Sequence, residues 1–265
     1  MSDVGYLALA TLAVVALGLL VVRLYRELFF FEGIRLGDRL HIVLYDLWAG
    51  TYDAGKARVQ KDDATTLAAP LCERLERNAA NMPETLVLDA ATGTGRLPLV
   101  LLSDPRFAGR VVGLDVSAGM LRKAAAKLSR FGSRAVLLHQ RAAPLPFPDE
   151  TFAAVSCLET VELLDDREAH FREFLRVLVP GGILLASRHT GEWGRAGAVC
   201  PPERFAKQLR GSGFERVEIR PWWERFDLVW AEKRPSGHDQ APGFRGGGRR
   251  ESSDPPDQPD GQGRL

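Results

Sequence analysis

The fold is decided by residues 86–95, which read LVLDAATGTG. The first five residues have the apolar character of a parallel strand, and the two glycines predict a tight turn that opens a helix. Twenty residues after Gly95, a second apolar run, VVGL at 111–114, ends in Asp115. Glycines let the backbone pass close to a ligand, and a carboxylate accepts hydrogen bonds from sugar hydroxyls. Together these features predict a nucleoside-binding site.

The glycine pattern distinguishes between nucleoside cofactors. A dinucleotide-binding turn needs a third glycine three residues after Gly95, and Pro98 stands there instead. The spacing of Asp89, Gly93 and Gly95 resembles motif I of the class I S-adenosylmethionine-dependent methyltransferases. In that family the glycine turn lies against the methionine part of the cofactor, and the acid after the second strand binds the ribose. The resemblance implies S-adenosylmethionine as the cofactor. An NAD(P)-binding oxidoreductase and a catalytically inactive cofactor-binding scaffold are the alternatives.

Three further motifs extend the resemblance over roughly residues 45–233. The segments YDLWAGTYD (45–53), AAPLPFPDETF (142–152) and LRVLVPGGILL (175–185) are similar to segments of the ubiquinone/menaquinone-biosynthesis methyltransferase-like subgroup. Two positions depart from the pattern. Arg141 stands where the family has an acid that accepts from adenine, and Ala153 replaces an aspartate. Because arginine has no acceptor, adenine recognition is expected to involve the backbone around Ala142.

The resemblance also implies which residues contact the cofactor. They are Asp89, Ala91, Gly93, Gly95, Asp115, Val116, Ala142 and Tyr52.

Candidate catalytic residues follow from the geometry of parallel sheets, in which the carboxyl ends of the strands face the site. This rule nominates Glu159 and Glu162 after the fourth strand, and Arg188 and His189 after the fifth. Of these we take Glu159 and His189 as the catalytic candidates. No triad is required, since S-adenosylmethionine carries an activated methyl group and the protein mainly aligns the acceptor.

Strands and helices alternate from residue 85 to residue 233, which predicts an α/β fold. We expect a Rossmann-like, doubly wound, mostly parallel seven-stranded sheet with an antiparallel final strand, preceded by one N-terminal transmembrane helix. Strands are expected at 85–89, 110–114, 134–138, 152–157, 182–188, 214–220 and 226–233. Helices are expected at 56–81, 95–104, 117–130, 166–178 and 202–211.

The N-terminal residues predict a membrane anchor. Val4 to Val22 is a run of 19 residues without a charge, long enough as a helix to reach ~28 Å across a bilayer core of ~30 Å. Arginines follow the run and no base precedes it, which favours an uncleaved single-pass anchor with the catalytic domain in the cytoplasm. The expected organisation is an anchor at 1–23, a juxtamembrane cap segment at 24–55, a methyltransferase domain at 56–234 and a disordered tail at 235–265.

The net charge and the cysteine content limit which kinds of partner the chain is expected to bind. A net charge of +1 gives no nucleic-acid footprint, and three widely spaced cysteines predict neither a disulfide framework nor a metal site. The anchor and the subgroup resemblance together predict a small, lipophilic substrate, either a quinone precursor or a lipid headgroup.

Overall fold

The computed structural model describes residues 5–6, 11–21, 38–78, 85–164, 166–190, 200–223 and 225–235. Its strands are β1 (Leu86–Ala90), β2 (Arg110–Asp115), β3 (Ala135–His139), β4 (Phe152–Cys157), β5 (Leu178–His189), β6 (Phe214–Trp223) and β7 (Phe226–Lys233). Its helices are α1 (Asp38–Trp48), α2 (Tyr52–Gln60), α3 (Ala69–Asn78), α4 (Arg96–Ser103), α5 (Ala118–Leu128), α6 (Arg167–Val177) and α7 (Pro202–Gly211).

The strands form one seven-stranded sheet in the order β3-β2-β1-β4-β5-β7-β6. β1 pairs in parallel with β2 and β4, and the parallel pairing continues to β3 on one side and β5 on the other. β7 lies antiparallel between β5 and β6. The predicted Rossmann-like sheet with an antiparallel final strand is therefore confirmed. Strand order reverses between β1 and β4, and an open α/β sheet binds its ligand at that point.

Each face of the sheet is covered by helices. Phe171 of α6 and Phe205 of α7 are fully buried on one face, while Leu71 of α3, Leu101 of α4 and Leu128 of α5 are buried on the other. Every residue of β4 is buried, as expected for a strand in the middle of a parallel sheet. This double cover holds the carboxyl ends of β1, β2 and β4 in fixed positions.

The sequence predicted a single helix over residues 56–81, and that prediction is wrong. The structure has α2, a π-helical turn at Ala64–Ala68 and then α3. Asp63, at the break, is 1% exposed, and its two carboxylate oxygens accept from the Arg96 guanidinium at 2.6 and 2.7 Å. A buried ion pair to a distant part of the chain therefore overrides the local helical pattern. β5 also begins at Leu178 rather than at residue 182.

Residues 11–21 near the N-terminus are helical, and all of their side chains are exposed. Within the described ranges, no helix combines the length and the apolarity needed to cross a bilayer. The predicted anchor and the predicted juxtamembrane segment lie partly outside the described residues, and nearly all of the predicted tail lies outside them. The domain boundaries stay predictions.

Candidate functional site

The turn after β1 contains three residues in the left-handed backbone region, two of which are glycines. Ala91, Gly93 and Gly95 all have positive φ, at 59°, 54° and 78°. A Cβ on Gly95 would lie 3.0 Å from the Leu128 Cδ1 atom and 3.2 Å from the Ala124 Cβ atom. Glycine at this position therefore lets α4 begin tightly against α5. Gly95 supports the turn from behind and is absent from the described residues that line the cavity above it.

Gly93 and Asp115 form the centre of the site. The Gly93 N–H donates to Asp115 Oδ2 at 2.8 Å, and the Ser117 N–H donates to Oδ1 at 2.8 Å. A Cβ on Gly93 would meet no atom within 4 Å, so the turn is open on its cavity side. Burial raises the pKa of Asp115, and the backbone N–H bonds oppose that rise. Each carboxylate oxygen keeps a second lone pair, and these could accept from two ribose hydroxyls.

Asp89 mainly fixes the turn. Thr92 Oγ1 donates to Asp89 Oδ2 at 2.6 Å, and Ser156 of β4 donates to the other oxygen. Burial raises the pKa of Asp89 to about 6, against the effect of these two hydroxyl donors. The carboxyl thereby ties β1, the glycine turn and β4 together beneath the cavity.

A cavity of about 240 Å³ opens above these residues. It brings together most of the predicted site: Tyr52, Asp89, Ala91, Gly93, Asp115, Val116, Ala142 and Glu159 all line it. We call residues 89–96, 115–117 and 140–143 the cofactor side, and residues 158–164 with His170 the acceptor side.

The cavity also has lining residues that the sequence did not single out, among them Tyr45, Arg96, Gln140 and His170. Gln140 directly follows β3, so the rule about strand carboxyl ends could have found it. No local motif points to His170, which lies inside α6.

α1 lies over the cavity and is held there by hydrogen bonds to the start of α5. Asp46 Oδ1 accepts from Ser117 Oγ at 2.5 Å and from the Gly119 N–H at 2.7 Å. Burial opposes ionisation of Asp46, but these hydrogen bonds outweigh it and lower the pKa. A Cβ on Gly119 would lie 2.9 Å from Asp46 Oδ1, so only glycine permits this approach.

α2 is held over the glycine turn by a second carboxylate. Asp53 accepts from Thr94 Oγ1 at 2.6 Å and pairs with Lys127 Nζ at 2.9 Å. Tyr52 lines the cavity with its ring edge-on to Trp48 at 4.7 Å. Burial raises the pKa of the Tyr52 phenol, which therefore stays neutral. The predicted cap segment and the glycine turn thus enclose the same space.

Glu159 lines the cavity with both oxygens engaged. Oε1 accepts from Arg96 at 2.5 Å, and Oε2 accepts from Lys56 at 2.5 Å. Arg96 in turn pairs with Asp63 and lies over the Trp222 ring at 4.7 Å. The arrangement suits a residue that shapes the wall, and the catalytic role of Glu159 stays a prediction.

His189 does not reach the cavity, although the charge of Glu159 acts on it. It is absent from the described residues that line the cavity, and its ring packs edge-on against Phe226 at 5.0 Å. Burial, together with the charge of Arg188, lowers the pKa of His189. Its catalytic role also stays a prediction.

Comparisons with known proteins identify the family. A family model described as a methyltransferase domain matches residues 87–182. The erythromycin 3''-O-methyltransferase of Saccharopolyspora erythraea is 31% identical over 235 residues, covering 70% of this chain and 76% of that protein. The ubiquinone/menaquinone biosynthesis C-methyltransferase UbiE of Syntrophotalea carbinolica is 41% identical over 100 residues, covering 37% of this chain and 41% of that protein. The chain thus spans less than half of the quinone-biosynthesis relative.

Solved structures agree in fold. The [4+2]-cyclase SpnF matches with a TM-score of 0.52 at 21% identity, over 63% of this chain and 80% of that chain. The phosphoethanolamine N-methyltransferase 2 of Haemonchus contortus, solved with S-adenosyl-L-methionine, matches with a TM-score of 0.52 at 15% identity, over 63% of this chain and 52% of that chain.

The chain belongs to the class I S-adenosylmethionine-dependent methyltransferases and is related to the ubiquinone/menaquinone-biosynthesis subgroup. The cofactor of that class is S-adenosylmethionine. The open face of Gly93 and the carboxylate of Asp115 fit that cofactor, because they offer space beside the backbone and acceptors for ribose hydroxyls. This assignment replaces the NAD(P)-binding oxidoreductase alternative.

Proposed function

We propose that this methyltransferase is tethered to a membrane by its N-terminal segment and methylates a small lipophilic molecule that reaches the cavity from the bilayer. A quinone precursor is the first candidate acceptor, and a lipid headgroup is the second. The observation that carries the proposal is the apolar character of the acceptor side. Leu158, Leu163 and Leu164 line the cavity there, and the Glu159 carboxylate is neutralised by its two cationic partners.

The outer face of α1 supports a membrane location. Val43 and Leu47 are 51% and 74% exposed and lie one turn apart, while Ile42 and Tyr45 of the same helix line the cavity. An apolar outer surface therefore adjoins the cavity. Residues 11–21 add a helix whose apolar side chains are exposed, within a run of 19 uncharged residues.

The number of residues between the exposed helix and α1 is small enough to keep the domain close to a membrane. Sixteen residues, 22–37, connect the exposed helix to α1. At ~3.3–3.6 Å per extended residue they reach at most about 55 Å, so the domain would remain near the bilayer surface. The arginines after the apolar run would place the domain on the cytoplasmic side.

The names of the relatives support a quinone precursor. Proteins named as ubiquinone/menaquinone biosynthesis and demethylmenaquinone methyltransferases match about 100 residues of this chain. The family-model match at 87–182 spans the glycine turn, Asp115 and the acceptor side. The longer-matching relative is named as an O-methyltransferase, so the test must distinguish carbon from oxygen as the methylated atom.

A reconstituted assay tests the acceptor. The full chain is mixed with vesicles of phosphatidylethanolamine and phosphatidylglycerol that contain demethylmenaquinol, and with methyl-labelled S-adenosylmethionine. We expect label in the quinone fraction, with mass spectrometry placing the methyl group on carbon or oxygen. Label only in phosphatidylethanolamine would select the headgroup. Label in neither fraction, but in water-soluble acceptors, would overturn the lipophilic acceptor.

Vesicle sedimentation tests the tether. The double variant Leu12→Asp, Leu17→Asp should leave most of the protein in the supernatant, because two charges within an apolar span cost several kcal/mol on transfer to the bilayer. Val136→Asp, at an exposed apolar position on β3, is the matched control and should sediment like the unchanged protein. Equal sedimentation of all three proteins would contradict the tether.

A further inference from the structure

His170 lines the cavity from α6. It is the fourth residue of that helix, is partly exposed, and packs its ring against the buried Phe174 with 6.3 Å between the ring centroids. Leu163 and Leu164 line the same side of the cavity. Gly93 and Asp115 line the same cavity from the cofactor side. His170 therefore belongs to the wall that a methyl acceptor would meet.

The proton on the His170 ring is fixed by the helix itself. Nδ1 lies 2.7 Å from the backbone carbonyl oxygen of Asp166. Since a carbonyl oxygen can only accept, Nδ1 must carry the proton, and in the neutral ring Nε2 then carries the lone pair. Among the described residues, none makes a hydrogen bond to Nε2. This nitrogen is therefore open to a proton donor that enters the cavity from outside the chain.

The carboxylates that line the cavity are already engaged. Both oxygens of Glu159 are paired, with Arg96 and Lys56 at 2.5 Å. Asp89 and Asp115 each accept hydrogen bonds on both oxygens, and they lie on the cofactor side, beside the glycine turn. A carboxylate held by two cations or by the turn is a poor base for a molecule on the acceptor side.

The remaining ionisable groups of the cavity wall keep their protons. Burial raises the pKa of the Tyr45 phenol and of the Tyr52 phenol, so both stay neutral. Arg96 and Arg141 are cations and have no acceptor atom. Within the described part of the cavity wall, His170 is thus the one ionisable side chain that presents an unpaired lone pair on the acceptor side.

The surroundings of His170 would stabilise its charged form. The Nδ1–H bond to the Asp166 carbonyl persists when the ring gains a second proton. Glu173 lies one turn further along α6. Hydrogen bonds from Arg176 lower the pKa of Glu173 against the effect of burial, and the positive charge of His170 adds to that lowering. Because the attraction is mutual, the ionised Glu173 favours an imidazolium at His170.

We propose that His170 is the general base that removes the proton from the methyl acceptor. As the bond from the acceptor atom to the methyl carbon forms, the bond from sulfur to that carbon breaks and its electron pair stays on sulfur. The proton of the acceptor moves to Nε2, and its bonding electron pair stays with the acceptor. The positive charge thus passes from the sulfonium to the imidazole ring. The acceptor atom must carry a proton, as a hydroxyl oxygen or the carbon of an electron-rich ring does.

This inference rests on the proposed function for the probe used in its kinetic test. His170→Asn keeps a donor for the Asp166 carbonyl and removes Nε2, and Glu168→Ala, at an exposed position in the first turn of α6, is the matched control. Single-turnover methylation of demethylmenaquinol is measured in the vesicles described above, and S-adenosylhomocysteine affinity is measured by calorimetry. His170→Asn should be about 10²- to 10⁴-fold slower and should bind S-adenosylhomocysteine as tightly as the unchanged protein. A rate within about twofold of the control would overturn the proposal.

Added bases distinguish a proton acceptor from a residue that only fills space. His170→Ala is assayed with imidazole, with substituted imidazoles of differing basicity, and with pyrrole, which has a ring of the same size but no basic nitrogen. We expect the imidazoles to restore part of the rate in proportion to their basicity, and pyrrole to restore none. Equal recovery with pyrrole would show that His170 has a structural role only, and would overturn the proposal.

A second measurement needs no acceptor. Nitrogen-15 NMR of the histidine-labelled protein at pH 9 reports which nitrogen of each neutral ring carries the proton, and His170→Asn assigns the signals. A proton on Nδ1 with a lone pair on Nε2 supports the proposal even where demethylmenaquinol is not methylated by the unchanged protein, a result that would count against the quinone acceptor alone. A proton on Nε2 would overturn the role of His170, whatever the outcome for the acceptor.

Discussion

On the cofactor side of the cavity, Asp89 and Asp115 accept hydrogen bonds on both carboxylate oxygens, whereas near the acceptor side Glu162 keeps one buried oxygen unpaired. The contrast extends beyond these residues. In the described part of the chain six buried side-chain atoms have no partner; five belong to residues after β4, and none belongs to the cofactor side. The chain completes the cofactor side by itself, using backbone donors and hydroxyls.

The largest effect is expected from breaking the ion network that joins the two sides. Arg96→Met would leave Asp63 and Glu159, both largely buried, without their shared cation. Removing one partner of a buried pair typically costs about 3–5 kcal/mol, and we expect this loss in the free energy of unfolding from urea denaturation. Arg106→Met removes a 39%-exposed arginine paired with Asp104 and should cost less than about 1 kcal/mol. Equal effects would show that the network adds nothing at the cavity wall.

The next largest effect is expected in the pH dependence of the free energy of unfolding. This dependence distinguishes Glu162 from carboxyls whose two oxygens both accept hydrogen bonds. The folded-state pKa values of Glu162 and Asp89 are raised to about 7 and about 6, above their unfolded values. The folded protein therefore binds more protons than the unfolded chain between about pH 4 and 7, so the free energy of unfolding falls as pH rises through that window. Glu162 contributes about 3 kcal/mol of that fall.

Glu162→Gln should remove this contribution and leave those of the other carboxyls whose pKa burial raises, Asp89, Asp63 and Asp115. The measurement is urea denaturation of both proteins at pH 5 and pH 8. A fall between these two pH values that is identical in the two proteins would contradict the assignment of Glu162 as the group that titrates near 7.

A smaller effect tests the cofactor side directly. Asp115→Ala should weaken S-adenosylhomocysteine binding by about 1–3 kcal/mol, because it leaves ribose hydroxyl donors unpaired. It also frees the Gly93 and Ser117 N–H groups. Asp115→Asn restores an acceptor without the charge and should recover part of the loss. Calorimetric titration measures both variants, and unchanged affinity in Asp115→Ala would remove this carboxylate from the site.

The difference between local motifs and long-range contacts explains which parts of the fold and of the site the sequence could predict. The glycine turn, Asp115 and the mostly parallel sheet follow from local motifs and from the rule that parallel strands carry sites at their carboxyl ends. The bond between Arg96 and Glu159 joins residues 63 positions apart, and the sequence offers no local signal for it. That network breaks the predicted helix at Asp63 and occupies both carboxylate oxygens of the catalytic candidate Glu159.

The smallest predicted effect concerns the cap that closes over the cofactor side. Asp46 of α1 accepts from Ser117 and Gly119 at the start of α5, so Asp46→Ala should cost about 1 kcal/mol, as the loss of a helix N-cap does. Asp46→Asn keeps an acceptor and should cost less. Neither variant alters a residue that lines the cavity, so any weakening of S-adenosylhomocysteine binding would come from α1 releasing α5. Hydrogen exchange of the Gly119 amide, measured with and without the ligand, reports that release. If Asp46→Ala left this exchange unchanged, α1 would not be held by Asp46, and closure of the cavity would depend on Asp53 and its partner Lys127.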